Sequence, residues 1–76
     1  MIFLELVGGA KMAIRADSVI WVEDAKCLDA IDPEHMRFPD ADREKCKSVV
    51  RCEGEDGYLL VADKEKDEIV LQIEGD

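Results

Sequence analysis

The sequence predicts a small α+β domain, mostly β: a twisted, antiparallel, four- to five-stranded sheet with a short helix or helical excursion on one face. Two glycine-bearing turns, Gly8-Gly9 and Glu53-Gly-Glu-Asp-Gly57, each separate runs rich in strand-forming residues, the pattern of paired hairpin strands. A third run, Ser18–Glu23, is dense in β-branched and aromatic residues, which favour strands. Between this run and the second hairpin, the stretch from 24 to 47 carries turn signals and only weak periodicity.

In chain order, Ile2, Leu4 and Leu6 alternate with Phe3, Glu5 and Val7, as a half-buried strand requires. Gly8-Gly9 supplies a turn that tolerates positive φ, and Met12 and Ile14 then alternate with Lys11, Ala13 and Arg15. Ile2, Leu4, Met12 and Ile14 thus share the inner face of a hairpin. In the third strand, simple alternation puts Ile20 and Val22 on one face and Val19 and Trp21 on the other, so both faces need cover. Either the segment from 24 to 47 folds back over the sheet or a partner covers it.

That segment cannot be one helix, because Asp32-Pro33 and Pro39-Asp40 push the residue before each proline out of the helical region. Asp24 is placed to cap a short helix over 25–31, and Asp32 with Pro33 to start a further turn. Leu28, Ile31, Met36 and Phe38 are the residues expected to pack onto the sheet. Ser48–Cys52 and Tyr58–Ala62 form the second hairpin. The C-terminal stretch 63–73 is read as a helix capped by Asp63, with Ile69 and Ile73 at i and i+4, while Ile69-Val-Leu-Gln-Ile73 keeps a strand reading open. The chain thus divides into a sheet from 2–23 and 48–62, a partly helical insertion over 24–47 and a C-terminal element, all within one domain spanning 1–76.

At 76 residues such a chain buries only ~60% of the surface its unfolded form exposes, which leaves little room for an enclosed active site. The charge is one-sided: 19 acidic against 10 basic residues, a net charge of -9. Such a field repels phosphate backbones, so direct nucleic-acid binding is not expected and a basic protein or nucleoprotein complex is. The simplest alternative is that the charge serves solubility alone. The N-terminus has a short apolar run interrupted by Glu5 and no basic leader, so neither a signal peptide nor a membrane span is expected. An odd count of cysteines, Cys27, Cys46 and Cys52, argues against a secreted disulfide framework and for a reducing bacterial cytoplasm.

No constellation of residues in the chain points to a specific chemistry. His35 with the three cysteines nominally makes a zinc set, but no Cys-x₂₋₄-Cys knuckle is present. Nothing in the sequence brings His35 to a cysteine as a base, and Cys52 shares a strand face with Val50, which suits a small core residue. Asp40-Ala-Asp-Arg-Glu44 lacks the glycine and terminal glutamate of a calcium loop. No catalytic residue, metal or cofactor is therefore expected.

What remains is surface. Asp29, Asp32, Glu34, Asp40, Asp42 and Glu44 in the insertion, Glu53, Glu55 and Asp56 at the hairpin tip, and Asp63, Glu65, Asp67 and Glu68 after the last strand can form an extended negative stripe. The tip and the post-strand patch lie roughly 17 Å apart along one strand, with Lys64 and Lys66 offsetting the latter in part. Trp21 and Tyr58 complete the candidate partner-binding set, since both types are enriched at binding hot spots and Tyr58 opens its strand beside the acidic tip, although a lone tryptophan in a small domain is more often a core residue. The expected function is a non-enzymatic module that occupies a basic groove as a nucleic-acid mimic does, for example a phage-encoded anti-CRISPR inhibitor, as a monomer or as a homodimer formed through Trp21.

The stretches "IFLELVGGAKMAIRADSVIWVED" and "SVVRCEGEDGYLLVADKEKDEIVLQI" resemble the FlbD family of small flagellar and swarming-motility proteins and similar small phage proteins. Arg15-Ala16-Asp17-Ser18-Val19 and Tyr58-Leu59-Leu60-Val61 carry the likeness, and the insertion from about 25 to 47 interrupts it. The chain departs from that pattern at Ile20 and Trp21, where polar residues are usual. The resemblance implies a small β-rich fold with a terminal helix, no catalytic residues, and an accessory role in motility as the alternative function.

Overall fold

The structure, a computed structural model, describes residues 1–31, 40–54 and 57–75. It is a small α+β fold of antiparallel strands and short helices. Strand β1 (Ile2–Glu5) and strand β2 (Lys11–Ile14) form the first hairpin, in the register Ile2 opposite Ile14 and Leu4 opposite Met12. That register puts the apolar sets of both strands on one face. Gly8 and Gly9, at φ of 100° and 95°, make the turn in a region that disfavours any side chain.

A 3₁₀ turn (Ala16–Ser18) leads into β3 (Val19–Asp24), which pairs with the central strand β4 (Ser48–Cys52), itself paired with β5 (Leu59–Val61). The expected sheet therefore resolves into two ladders, one of two strands and one of three. They join where the chain beyond β1 runs beside β5: Leu6 bridges Val61, Val7 N–H donates to the Leu60 carbonyl at 2.8 Å, and Ala62 N–H donates to the Glu5 carbonyl at 2.8 Å. At Asp63 a side chain replaces the ladder, its Oδ1 accepting from Glu5 N–H at 3.0 Å.

β4 is the central strand, and its Val49 and Val50 are both fully buried. Residues on one of its faces, Val50 and Cys52, pack with Ile2, Leu4, Ile14, Val61 and Ile69. Those on the other pack Val49 against Leu28 and Cys46, with Trp21, Tyr58 and Leu60 at the margin. Each fully buried valine or isoleucine contributes about 2 kcal/mol of transfer free energy, so the fold rests on covering both faces. The hairpin and the last helix cover the first face, and among the described residues Leu28 and Cys46, from the two ends of the insertion, cover the second.

The insertion starts as the sequence suggests. Asp24 caps it, its side chain accepting from Lys26 N–H at 3.0 Å, and a 3₁₀ turn (Ala25–Cys27) runs into α1 (Leu28–Ile31). Leu28 does pack onto the sheet, while the Asp32-Pro33 turn, Met36 and Phe38 lie outside the described residues. Helix α2 (Asp40–Lys45) delivers Cys46 back to β4.

Two expectations are corrected. The first concerns β3, where Val19 faces Cys52 and Trp21 faces Arg51, so Ile20 is an extra residue in a β-bulge. The bulge breaks the simple alternation: Val19 and Val22 both reach the first cluster, Trp21 reaches the second, and Ile20 is left 54% exposed. The second concerns the C-terminal element, which is a helix, α3 (Lys66–Gly75), but one that starts too late for Asp63 to cap it. Asp63 is taken by Glu5 N–H instead, and Ser48, buried at the start of β4, donates its Oγ–H to the Lys64 carbonyl at 2.7 Å, fixing the approach to the helix. Ile69 is fully buried in the first cluster and Ile73 packs at its edge, as an i, i+4 pair does.

The bulge gives unequal stakes to neighbouring residues. Ile20→Ser should change unfolding free energy in urea by no more than about 0.5 kcal/mol, whereas Val22→Ala should cost about 2 kcal/mol. Equal losses at both positions would mean a regular strand without the bulge.

Candidate functional site

On the second face of the three-stranded sheet, Trp21 of β3 stands opposite Arg51 of β4. Tyr58, just before β5, meets Trp21 with ring centroids 5.5 Å apart at 41°, and the Arg51 guanidinium lies 5.4 Å from the Tyr58 ring centre. Arg51 Nη1 also donates to the Gly57 carbonyl at 3.3 Å. No local signal couples these three residues; the pairing of β3 and β5 across β4 does so. Both rings are half-buried against the chain's own Leu28–Cys46–Val49 cluster, so their exposed rims alone are open to a partner.

The acidic candidates fall on several elements. Asp29 is in α1, Asp40, Asp42 and Glu44 are in α2, and Asp32, Glu34, Glu55 and Asp56 lie outside the described residues. Glu44 is exposed and Asp42 half-buried. Glu53 is exposed at the tip of the β4–β5 hairpin, where Gly54 takes a φ of 84°. Asp67 and Glu68 occupy the first turn of α3 with Glu65 just before it, all exposed and well placed against the positive end of the helix dipole.

The patch around α3 is mixed in sign. A shallow depression of about 340 Å³ is lined by Asp24, Glu65 and Asp67 together with Lys26, Lys47 and Lys66, and Lys66 Nζ stands 3.6 Å from Glu23. Lysines thus interrupt any stripe running from the insertion to α3. Asp63 is committed to the fold: besides accepting from Glu5 N–H, its Oδ2 pairs with Lys64 Nζ at 3.0 Å, and that same Nζ donates to the Phe3 carbonyl at 2.6 Å. Partial burial pushes the Asp63 carboxyl upward, but the Glu5 amide and the Lys64 ammonium outweigh it and hold the carboxyl below its ordinary value.

The cysteines separate into two environments. Cys52 belongs to the first cluster, as its strand position suggests, while Cys27 and Cys46 share the second cluster on the opposite face of the sheet. The nominal zinc set is therefore split by β4. Burial pushes both Cys27 and Cys46 thiols up, helped at Cys27 by Cys46, Glu23 and Asp24 and opposed at Cys46 by hydrogen bonds with Ser48 and Val61. Cys46 Sγ donates to the Ser48 carbonyl at 3.1 Å. These are protonated packing thiols at neutral pH, the reverse of an activated nucleophile. No group of three or more metal-ligating side chains occurs among the described residues, and no helix among them is long and apolar enough to cross a membrane.

No protein-family model, curated protein or solved structure matches the chain.

The depressed Asp63 carboxyl sets a pH dependence. Its contribution to stability is complete above the unfolded value of 3.8 and disappears as pH falls through the lower folded value. Asp63→Asn should lower stability at neutral pH and flatten the acid limb of a pH-dependent urea series below about pH 4. An unchanged acid limb in the variant would show that Asp63 does not hold β1. Alkylation of Cys27 and Cys46 by iodoacetamide should accelerate only above the ordinary thiol range, which a rate–pH profile resolved by peptide mapping would read.

Proposed function

We propose that the chain is a non-enzymatic binding module whose acidic surface occupies a basic groove on a nucleic-acid-handling protein, in the manner of a nucleic-acid mimic. A phage-encoded anti-CRISPR inhibitor acting in the bacterial cytoplasm is the concrete form of this reading. One observation carries it: Glu44, Glu53, Glu65, Asp67 and Glu68 are all exposed, and none is within ion-pair distance of a cation among the described residues. Carboxylates held in water without partners are available to replace phosphates on a basic surface, and a net charge of -9 would steer the approach. The protonated state of the packed thiols favours a binding role over a thiol chemistry.

Glu44, Glu53 and Glu68 lead the set, since none of them lines the lysine-bearing depression beside α3. A role for Trp21 and Tyr58 is narrower than for a free aromatic pair, because their apolar bodies are spent on the chain's own cluster. They would supply the rim of an interface whose centre is electrostatic.

A second reading, an accessory protein of flagellar or swarming motility, draws on the order of elements. Hairpin, strand, hairpin and terminal helix follow one another as the FlbD resemblance implies. Neighbouring genes separate the two readings, since motility genes favour the second and phage or defence genes the first.

The experiment is capture from a bacterial lysate at low and high salt, followed by addition of the purified protein to the captured nucleoprotein complex. The expected result is retention lost at high salt, with nucleic acid displaced by the added chain. The double variant Glu44→Lys/Glu53→Lys should weaken capture on the order of 10-fold at low salt. Retention indifferent to both salt and charge reversal would sink the mimic reading, and recovery of motility components would favour the second.

A further inference from the structure

The outer face of the β1–β2 hairpin is the part of the molecule that the acidic reading leaves unused. Phe3 projects from it with 67% of its surface exposed, opposite Ala13 in the hairpin register. Beside Phe3 lies an open depression of about 440 Å³, with the exposed Ala13 on the same face contributing to its wall. A single large aromatic at the margin of a hollow able to take an aromatic ring has the form of a knob beside its own hole.

The charge on this face is balanced, as it is in the depression beside α3, but here an exposed aromatic stands beside the balanced lining. Glu5 stands directly across from Lys11, and Asp63 is paired with Lys64, so the lining of the depression is balanced, two carboxylates against two ammonium groups. As a whole, a chain of net charge -9 repels a second copy of itself. Here two copies can approach with no like-charge penalty, and the alternation of Glu5 and Lys11 becomes self-complementary under a two-fold axis. That argument selects a second copy over a basic protein, which the surplus carboxylates elsewhere would draw away from this face.

We infer that the outer face of the β1–β2 hairpin is the interface of a symmetric homodimer, in which each Phe3 enters the depression of the other copy and each Glu5 meets the other copy's Lys11. The interface is isologous, since the same patch serves both sides. An area at the low end for specific association, roughly 500 Å² per copy, is a modest part of the 5026 Å² surface of the chain. The dimer is therefore a concentration-dependent one. It forms through Phe3 and not through Trp21, because Trp21 is already engaged with Tyr58 and the second cluster. This inference stands independently of the partner proposed above.

Sedimentation equilibrium of the full chain across a range of concentrations tests it. The wild-type chain should fit a monomer–dimer equilibrium, and Phe3→Glu should raise the dissociation constant on the order of 30-fold with unchanged circular dichroism, since Phe3 is outside the core. Trp21→Ala should leave the association constant alone. Glu5→Lys and Lys11→Glu should each be monomeric alone, yet an equimolar mixture should form a heterodimer, because mixing restores opposite charge at both Glu5–Lys11 contacts. A wild-type chain that stays monomeric throughout, an undisturbed dimer in Phe3→Glu, dissociation through Trp21, or a mixture without rescue would each overturn the interface. Binding of the monomer to lipid vesicles through Phe3, in place of self-association, would overturn it equally.

Discussion

The fold depends on a central strand that has no face to give to water. Val49 and Val50 are adjacent in β4 and both fully buried, so apolar cover must arrive from two directions at once. A chain of 76 residues has little material for this: among the described residues the first hairpin and α3 supply it on one side, and the two ends of the insertion, through Leu28 and Cys46, on the other. The insertion is thus a structural requirement as well as a carrier of acidic residues. Removing it would expose Val49 and Leu60 and turn the second face into an aggregation-prone sheet surface.

The same requirement explains the polar contacts that sequence reading overlooked. Ser48 begins β4 on the side of the first cluster, where a hydroxyl needs a partner, and the Lys64 carbonyl supplies it. Lys64 in turn reaches the Phe3 carbonyl, and Asp63 reaches the Glu5 amide. Two consecutive residues after β5 therefore satisfy the backbone of β1 where the ladder stops. This small polar clamp ties the two-stranded ladder to the three-stranded one and sets the point from which α3 starts.

Much of the architecture was legible because its signals are local. Alternation in residues 2–14, the Gly8-Gly9 turn, the β-branched third strand and the glycine-bearing second hairpin each follow from a few neighbouring residues. The bulge at Ile20 was not legible, because nothing in Val19-Ile-Trp-Val22 distinguishes an alternating strand from one that carries an extra residue. Only the need of Val19 and Val22 to reach the same cluster decides it. Asp63 was misread for a related reason: an aspartate before a helix reads as a cap, and its long-range partner, 58 residues away, is invisible to local reasoning. The candidate surface was legible as composition but not as arrangement, since the placement of Lys26, Lys47 and Lys66 among the carboxylates near α3 depends on tertiary packing.

The clamp also determines how the surface is divided. By holding Asp63 and Lys64 against β1, it places a carboxylate and an ammonium together beside Phe3 and cancels charge there. The cross-strand pair of Glu5 and Lys11 cancels the rest. Glu44 and Glu53 lie on α2 and at the distal hairpin tip, elements that take no part in this clamp, and so stay unneutralised in water. A protein with a large negative charge can associate with itself only where that charge is locally balanced, and with a basic partner only where it is not. The contacts that terminate the β1 ladder create the first condition on one face without weakening the second on the others, so self-association and an acidic binding surface are compatible within one small fold.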